Sequence, residues 1–178
     1  MSVKIALLGC GTVGTAVATM LQEQNGDFAE RAGDTLELIG IAVRDLNAPR
    51  DPAIDRSLLT DDVDGLMAGA DIVIELIGGI EPARTHVLNA IRGGATVVTG
   101  NTALLAAHGP EIYEAAAEAD VDVYYEAAVA GAVPVVYGLR ESLAGDRVES
   151  VLGIVNGTTN FILDEMETAG LSFDEARK

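Results

Sequence analysis

The sequence predicts a doubly wound α/β fold, a mostly parallel sheet with helices on both faces. Short β-type apolar runs alternate with longer helical segments, the pattern of repeated βαβ units. Ala, Val, Leu and Ile supply nearly all the apolar mass beside only four Tyr and three Phe, as in sheets buried on both sides. Three glycines, Gly9, Gly11 and Gly14, follow the first strand and open the first helix. With 178 residues, 49% of them hydrophobic, the chain can bury one full core and begin a second.

The first strand is expected over residues 4–8 and the first helix over 12–24, with Val13, Val17, Met20 and Leu21 on one face. Polar residues with Gly26 and Gly33 then predict a loop, and "LELIGIAV", residues 36–43, a second strand. "DIVIELIGG" reads as a third strand closed by Gly78 and Gly79; Pro82 suits the first turn of a helix that stops at Gly93 and Gly94. "TVVTGN" and "VDVYYEAAV" supply two more strands, with a helix over 110–119 between them. From Pro134 the pattern changes to a helix through 139–143, a strand "RVESVLGIV", a turn "NGTTN" and a helix "FILDEMETAG". A boundary near residue 132 therefore divides a first, doubly wound domain, 1–132, from the first α+β elements of another, 133–178. In "LSFDEARK", Ser172 and Glu175 stand at capping-box spacing, a helix start that reads as truncation at the end of the chain.

Acidic residues outnumber basic ones 28 to 11, giving a net charge of −17 without a Lys/Arg cluster. Neither a nucleic-acid backbone nor an anionic membrane is an expected partner. The acidity reads as a solvated, self-repelling surface or as adaptation to high salt. "MSVK" runs into the first strand without a leader pattern, and no apolar stretch is long enough to span a bilayer, so a cytoplasmic protein is expected. The single cysteine, Cys10, has no internal disulfide partner and reads as a small filler.

"GCGTVG" has the G-x-G-x-x-G spacing of a Rossmann-type dinucleotide turn. Gly9 permits the tight turn, Gly11 the approach of a pyrophosphate, and Gly14 the close packing of helix on strand. The N–H groups and positive dipole end of that helix face the phosphates. The second strand ends Val43-Arg44-Asp45, placing a guanidinium where a 2′-phosphate would be met, which leans toward NADP; Asp45 keeps NAD open. Arg50 offers a second contact, although a solvated side chain is its more natural reading. Among titratable residues, His86 reads as a surface or packing histidine and His108, before Gly109 and Pro110, as a capping residue in a turn. Glu75, near the cofactor-facing end of a strand, is either buried and paired or functional.

Four segments, "GCGTVG", "IGGIEPA", "YYEAAVAGAVPVV" and "GIVNGTTNFIL", resemble the homoserine dehydrogenase family, and the likeness covers essentially the whole chain. The resemblance implies reversible NAD(P)-dependent oxidation of L-homoserine to L-aspartate 4-semialdehyde, a step toward threonine and methionine. It also implies a cofactor domain followed by a substrate and dimerisation domain, with a homodimer as the full-length form. By motif, Thr12, Val13 and Arg44 would contact the cofactor. Main-chain carbonyls of Glu126, Val129, Gly131 and Val133 would hold a sodium ion, a hard cation suited to oxygen ligands.

Two departures from the family qualify this. Its "T-A-N-K-A-L" is here Thr99-Gly100-Asn101-Thr102-Ala103-Leu104, so Thr102 brings a hydroxyl to the cofactor where the family has an ammonium. The family's proton-transfer lysine and the acids that grip homoserine lie beyond Lys178, so no catalytic residue is expected within the chain. The sequence reads as the cofactor-binding part of such an enzyme, inactive alone. The alternatives are a non-catalytic NADP(H)-binding module or degenerate paralogue, and another small-molecule reductase such as dihydrodipicolinate reductase, against which "EAAVAGAVP" counts.

Overall fold

The computed structural model describes residues 2–131, 133–153 and 156–177. Lys178, the residue beyond which the family's catalytic lysine is expected, lies outside the described residues. Two compact units divide the chain, the first ending at Ala128 and the second beginning at Val129.

The first unit is built on six parallel strands, β1 (Ser2–Leu8), β2 (Thr35–Ala42), β3 (Leu59–Thr60), β4 (Ile72–Glu75), β5 (Thr96–Thr99) and β6 (Val123–Tyr124), in the order β3-β2-β1-β4-β5-β6. Its helices are α1 (Thr12–Glu23), α2 (Asn25–Ala32), α3 (Val63–Met67), α4 (Ala83–Arg92) and α5 (Thr102–Ala119). Side chains alternate across a strand, and β1 divides accordingly. Ala6 and Leu8 join a core with Val87 and Ile91 of α4 and Leu104 and Ile112 of α5, while Leu7 joins Ala18 of α1 and Ile41 of β2 in a second core. Residues 5–8 are therefore buried without interruption, as their unbroken apolar run requires. The sheet is the doubly wound one expected, and its strand order reverses between β1 and β4.

Several elements differ from expectation. Residues 25–32 form α2 instead of a loop; none of its residues is buried, so it carries no apolar stripe to announce it, and Gly33 closes it at φ 74°. Helix α5 begins at Thr102, eight residues before the expected start, with Pro110 inside it. Burial of Leu104 and Ile112 on the sheet outweighs the hydrogen bond lost at the proline. His108 consequently lies within a helix and not in a turn. Strand β6 is two residues long, and Glu126–Ala128 form a 3₁₀ turn.

In the second unit, α6 (Val135–Tyr137) runs into a wider π-type turn at Gly138–Ser142. Helix α7 (Gly157–Thr168) starts inside the expected "NGTTN" turn, because the Asn156 side chain caps it by accepting from the Thr159 N–H at 2.9 Å. Helix α8 (Phe173–Ala176) has the anticipated capping box between Ser172 and Glu175. The expected strand "RVESVLGIV" is not formed over 147–153, and its last two residues lie outside the described ones. A strand needs a neighbour for its N–H and C=O groups, and none among the described residues pairs with this segment; Leu152 is 94% exposed. Among the described residues no helix is long and apolar enough to cross a membrane.

Candidate functional site

A cleft of about 550 Å³ opens beside the carboxyl ends of the strands, at the point where their order reverses. Open α/β sheets bind ligands there. The glycine turn after β1 forms one wall and the loop after β2, with Arg44, Asp45 and Arg50, another; Asp61, Ile77 and His86 come from the segments after β3 and β4 and from α4.

The glycines of the turn have separate physical reasons. Gly9 takes φ 101°, and a Cβ on it would meet the Leu76 carbonyl oxygen at 2.7 Å. A Cβ on Gly14 would run into the Gly9 carbonyl oxygen, so α1 can seat against the turn only with glycine there. Gly11 is different: nothing lies within 4 Å of the position its Cβ would take. It is the N-cap of α1, no side chain caps that helix, and its first turn carries no acid. The leading N–H groups of α1, from Thr12 onward, have no intrahelical acceptor and suit an anion.

Arg44 is exposed and makes no side-chain hydrogen bond or ion pair among the described residues. Beside it, Asp45 turns its carboxylate into its own loop, where Oδ1 accepts from the Asn47 N–H at 2.8 Å. Arg50 is not the solvated side chain expected. Half-buried, it donates from Nη1 to the Cys10 carbonyl at 2.8 Å and from Nη2 to the Asp45 carbonyl at 3.1 Å, while its buried Nε has no partner. Cys10 packs in the second core as a filler.

Glu75 is buried and paired. It is the register partner of Leu8 on β1 and of Thr99 on β5, and is fully buried. Oε1 accepts from the N–H groups of Ile77 at 2.8 Å and Gly78 at 3.2 Å, and Oε2 from the Thr99 hydroxyl at 2.6 Å. The Asn101 amide stands 3.4 Å from Oε1 and donates to the Gly79 carbonyl at 2.6 Å, while its oxygen caps α5 at the Leu104 N–H. Asn101 is a residue the sequence reading passed over, although an Asn ahead of an apolar helix is a cap signal.

The structure thus brings Gly9, Gly11 and Arg44 into one cleft, with Thr12, Val13 and Gly14 continuing from Gly11 into α1. Thr102 stands outside the cleft lining, and its hydroxyl donates to the Ala128 carbonyl at 2.8 Å. His86 lines the cleft with a buried Nδ1 that has no partner, whereas His108 Nδ1 lies 3.4 Å from Glu111 on its own helix. Glu126 falls in the first unit, and Val129, Gly131 and Val133 in the second. Among the described residues no group of three or more His, Cys, Asp or Glu side chains is arranged to hold a metal.

Residues 9–126 match the family model of the homoserine dehydrogenase NAD binding domain, and residues 134–178 that of homoserine dehydrogenase. The homoserine dehydrogenase of Corynebacterium glutamicum is 52% identical over 177 residues, which are 98% of this chain and 40% of that protein. A crystal structure of the Thiobacillus denitrificans homoserine dehydrogenase superposes with a TM-score of 0.90 at 42% identity, covering 99% of this chain and 41% of that one. A hyperthermophilic archaeal homoserine dehydrogenase in complex with NADPH gives 0.79 at 26% identity, covering 99% and 59%. The chain spans about 40% of the length of the curated relatives it matches.

Proposed function

The chain belongs to the homoserine dehydrogenase family, and on that footing we propose that it is the NADP(H)-holding part of an enzyme interconverting L-homoserine and L-aspartate 4-semialdehyde. The observation that carries the reading is an uncapped α1 terminus facing open space, with an unpartnered Arg44 in the same cleft. A dinucleotide pyrophosphate meets the N–H groups of Gly11, Thr12 and Val13, and Arg44 meets a 2′-phosphate. Asp45, the residue that would favour NAD, has its carboxylate engaged by Asn47.

The nicotinamide supplies the hydride acceptor when bound. This chain's residues hold and orient it, and the proton acceptor and homoserine clamps belong to segments that the family carries past the position of Lys178. Homodimerisation and a sodium ion at residues 126–133 belong to the same proposal on the resemblance alone, and a cytoplasmic setting belongs to it on the N-terminal sequence pattern.

A second reading, a binding module without catalysis, is favoured by one observation: the Thr102 hydroxyl is spent on the Ala128 carbonyl, and no ammonium stands there. Calorimetric titration with NADPH and NADH, followed by assay of NADP reduction with homoserine, tests both. Binding without turnover is expected of these 178 residues. Absence of binding overturns the cofactor reading, and robust turnover would place catalytic groups inside the chain.

A further inference from the structure

Arg50 occupies the cleft but has no part in the function just proposed, and its surroundings are unusual for this chain. With 28 acidic residues against 11 basic ones, a cation here has many carboxylates to choose from. Arg84 illustrates the ordinary outcome, pairing with both Glu111 and Glu81. Arg50 instead bonds two neutral carbonyls, keeps a buried Nε without a partner, and has no carboxylate at ion-pair distance among the described residues. A half-buried guanidinium left without a counter-ion is costly unless an anion completes the site.

Its placement names the anion. Nη1 is held on the carbonyl of Cys10, the residue between Gly9 and Gly11. The Cys10 carbonyl and the Gly11 N–H share one planar peptide unit, so the arginine that fixes the first also fixes the second. The guanidinium therefore stands beside the same turn whose uncapped helix terminus suits a phosphate. We propose that Arg50 is a phosphate-binding residue for the pyrophosphate common to NAD and NADP. It is distinct from Arg44, which reads only the 2′-phosphate. Before binding, its bonds to Cys10 and Asp45 hold the glycine turn and the loop after β2 in register; on binding it supplies the charge that the backbone N–H groups lack. This assignment rests on the cofactor reading of the cleft.

The test is affinity for NADPH, NADH, ADP and adenosine, the last by competition, on the unaltered chain and on Arg50→Gln and Arg50→Lys. Gln keeps a donor for the Cys10 carbonyl and removes the charge. Arg50→Gln is expected to weaken NADPH, NADH and ADP alike, by about ten- to a hundredfold, and to leave adenosine unchanged. Lys, which keeps the charge, should lose less than Gln. An equal loss for adenosine would mean that Arg50 only shapes the loop, and a loss confined to NADPH would make it a 2′-phosphate reader; either overturns the assignment, as does unchanged binding. Should Arg50→Gln fail to fold, as thermal melts would reveal, Arg50→Lys must still spare adenosine while weakening the diphosphates. An unaltered chain that binds neither dinucleotide refutes the cofactor reading itself, an outcome separate from failure of the variants alone.

Discussion

Replacing Glu75 by Ala should destabilise the first unit severely and by a mechanism unrelated to catalysis. The fully buried carboxylate accepts from the N–H groups of Ile77 and Gly78 and from the Thr99 hydroxyl. Alanine removes the acceptor from all three, but the Gly78 N–H belongs to an exposed residue and can turn to water, while each buried, unsatisfied group costs about 1–3 kcal/mol. The hydroxyl can rotate toward another acceptor, so one to two donors count, for a total of about 1–6 kcal/mol before the cavity left by the side chain is added. At about 2–4 °C per kcal/mol, the melting temperature should fall by roughly 2–24 °C from the donors alone. Glu75→Gln keeps a carbonyl oxygen for the loop amides and loses only the charge assistance and the Thr99 bond, so its loss should be about 1–2 kcal/mol. Thermal melts followed by circular dichroism, with NADPH titration of the folded variants, give the order unaltered, Gln, Ala. An Ala variant melting within a degree or two of the parent would refute this accounting. So would a Gln variant of unchanged stability that no longer binds dinucleotide, because Glu75 would then act on the ligand and not on the loop.

Arg44→Ala should weaken NADPH binding by about 1–3 kcal/mol and leave NADH nearly untouched; equal losses measured by calorimetry would remove the 2′-phosphate role. The Glu111 carboxyl is held below its ordinary value, chiefly by hydrogen bonds from the Arg84 guanidinium that tie α4 to α5. A lowered carboxylate pKa contributes stability that is present at neutral pH and lost as the pH falls through the folded value. Glu111→Gln should therefore melt lower than the parent at pH 7 and converge with it as the pH falls below the ordinary carboxylate range, and a gap undiminished in acid would argue against the pair.

The sheet centre and the glycine turn were legible because their causes are local. A strand buried on both faces must be apolar throughout, as Ile5 to Leu8 are, and the turn needs glycine at Gly9 and Gly14 for reasons of space that leave a fixed spacing. Elements whose causes are distant were not legible. Strand β3 consists of two residues and exists through pairing with Ile41 and Ala42, which nothing in "LT" announces. Helix α2 has no fully buried residue, and α5 hides its start behind Gly109 and Pro110 while Leu104 and Ile112 secure it on the sheet. The "RVESVLGIV" segment shows the converse, an extended pattern without a partner among the described residues. At the site, Arg44 could be read from its position after the second strand. Arg50 reads there as a second contact behind a more natural solvated reading, because the Cys10 carbonyl that holds it lies forty residues away in the chain.

The net charge of −17 bears on the site less than it first suggests. A nucleic acid or membrane needs a broad basic surface, and the sequence argues against either partner on that ground. A dinucleotide needs only a few donors at short range, and these are present: the α1 terminus, Arg44 and Arg50, none of them neutralised by a carboxylate among the described residues. Acidic side chains farther off repel the incoming phosphates over distances comparable to the Debye length, about 10 Å at 0.1 M salt, whereas contact hydrogen bonds act within about 3 Å. Added salt therefore screens the repulsion more completely than the attraction, in contrast to a basic protein whose long-range field favours binding. Sparing two arginines from ion pairing leaves the cleft, which Asp45 and Asp61 also line, with as many basic as acidic side chains in a chain where acids outnumber bases 28 to 11. That local balance, set by the fold and not by composition, is what a phosphate-bearing ligand would meet.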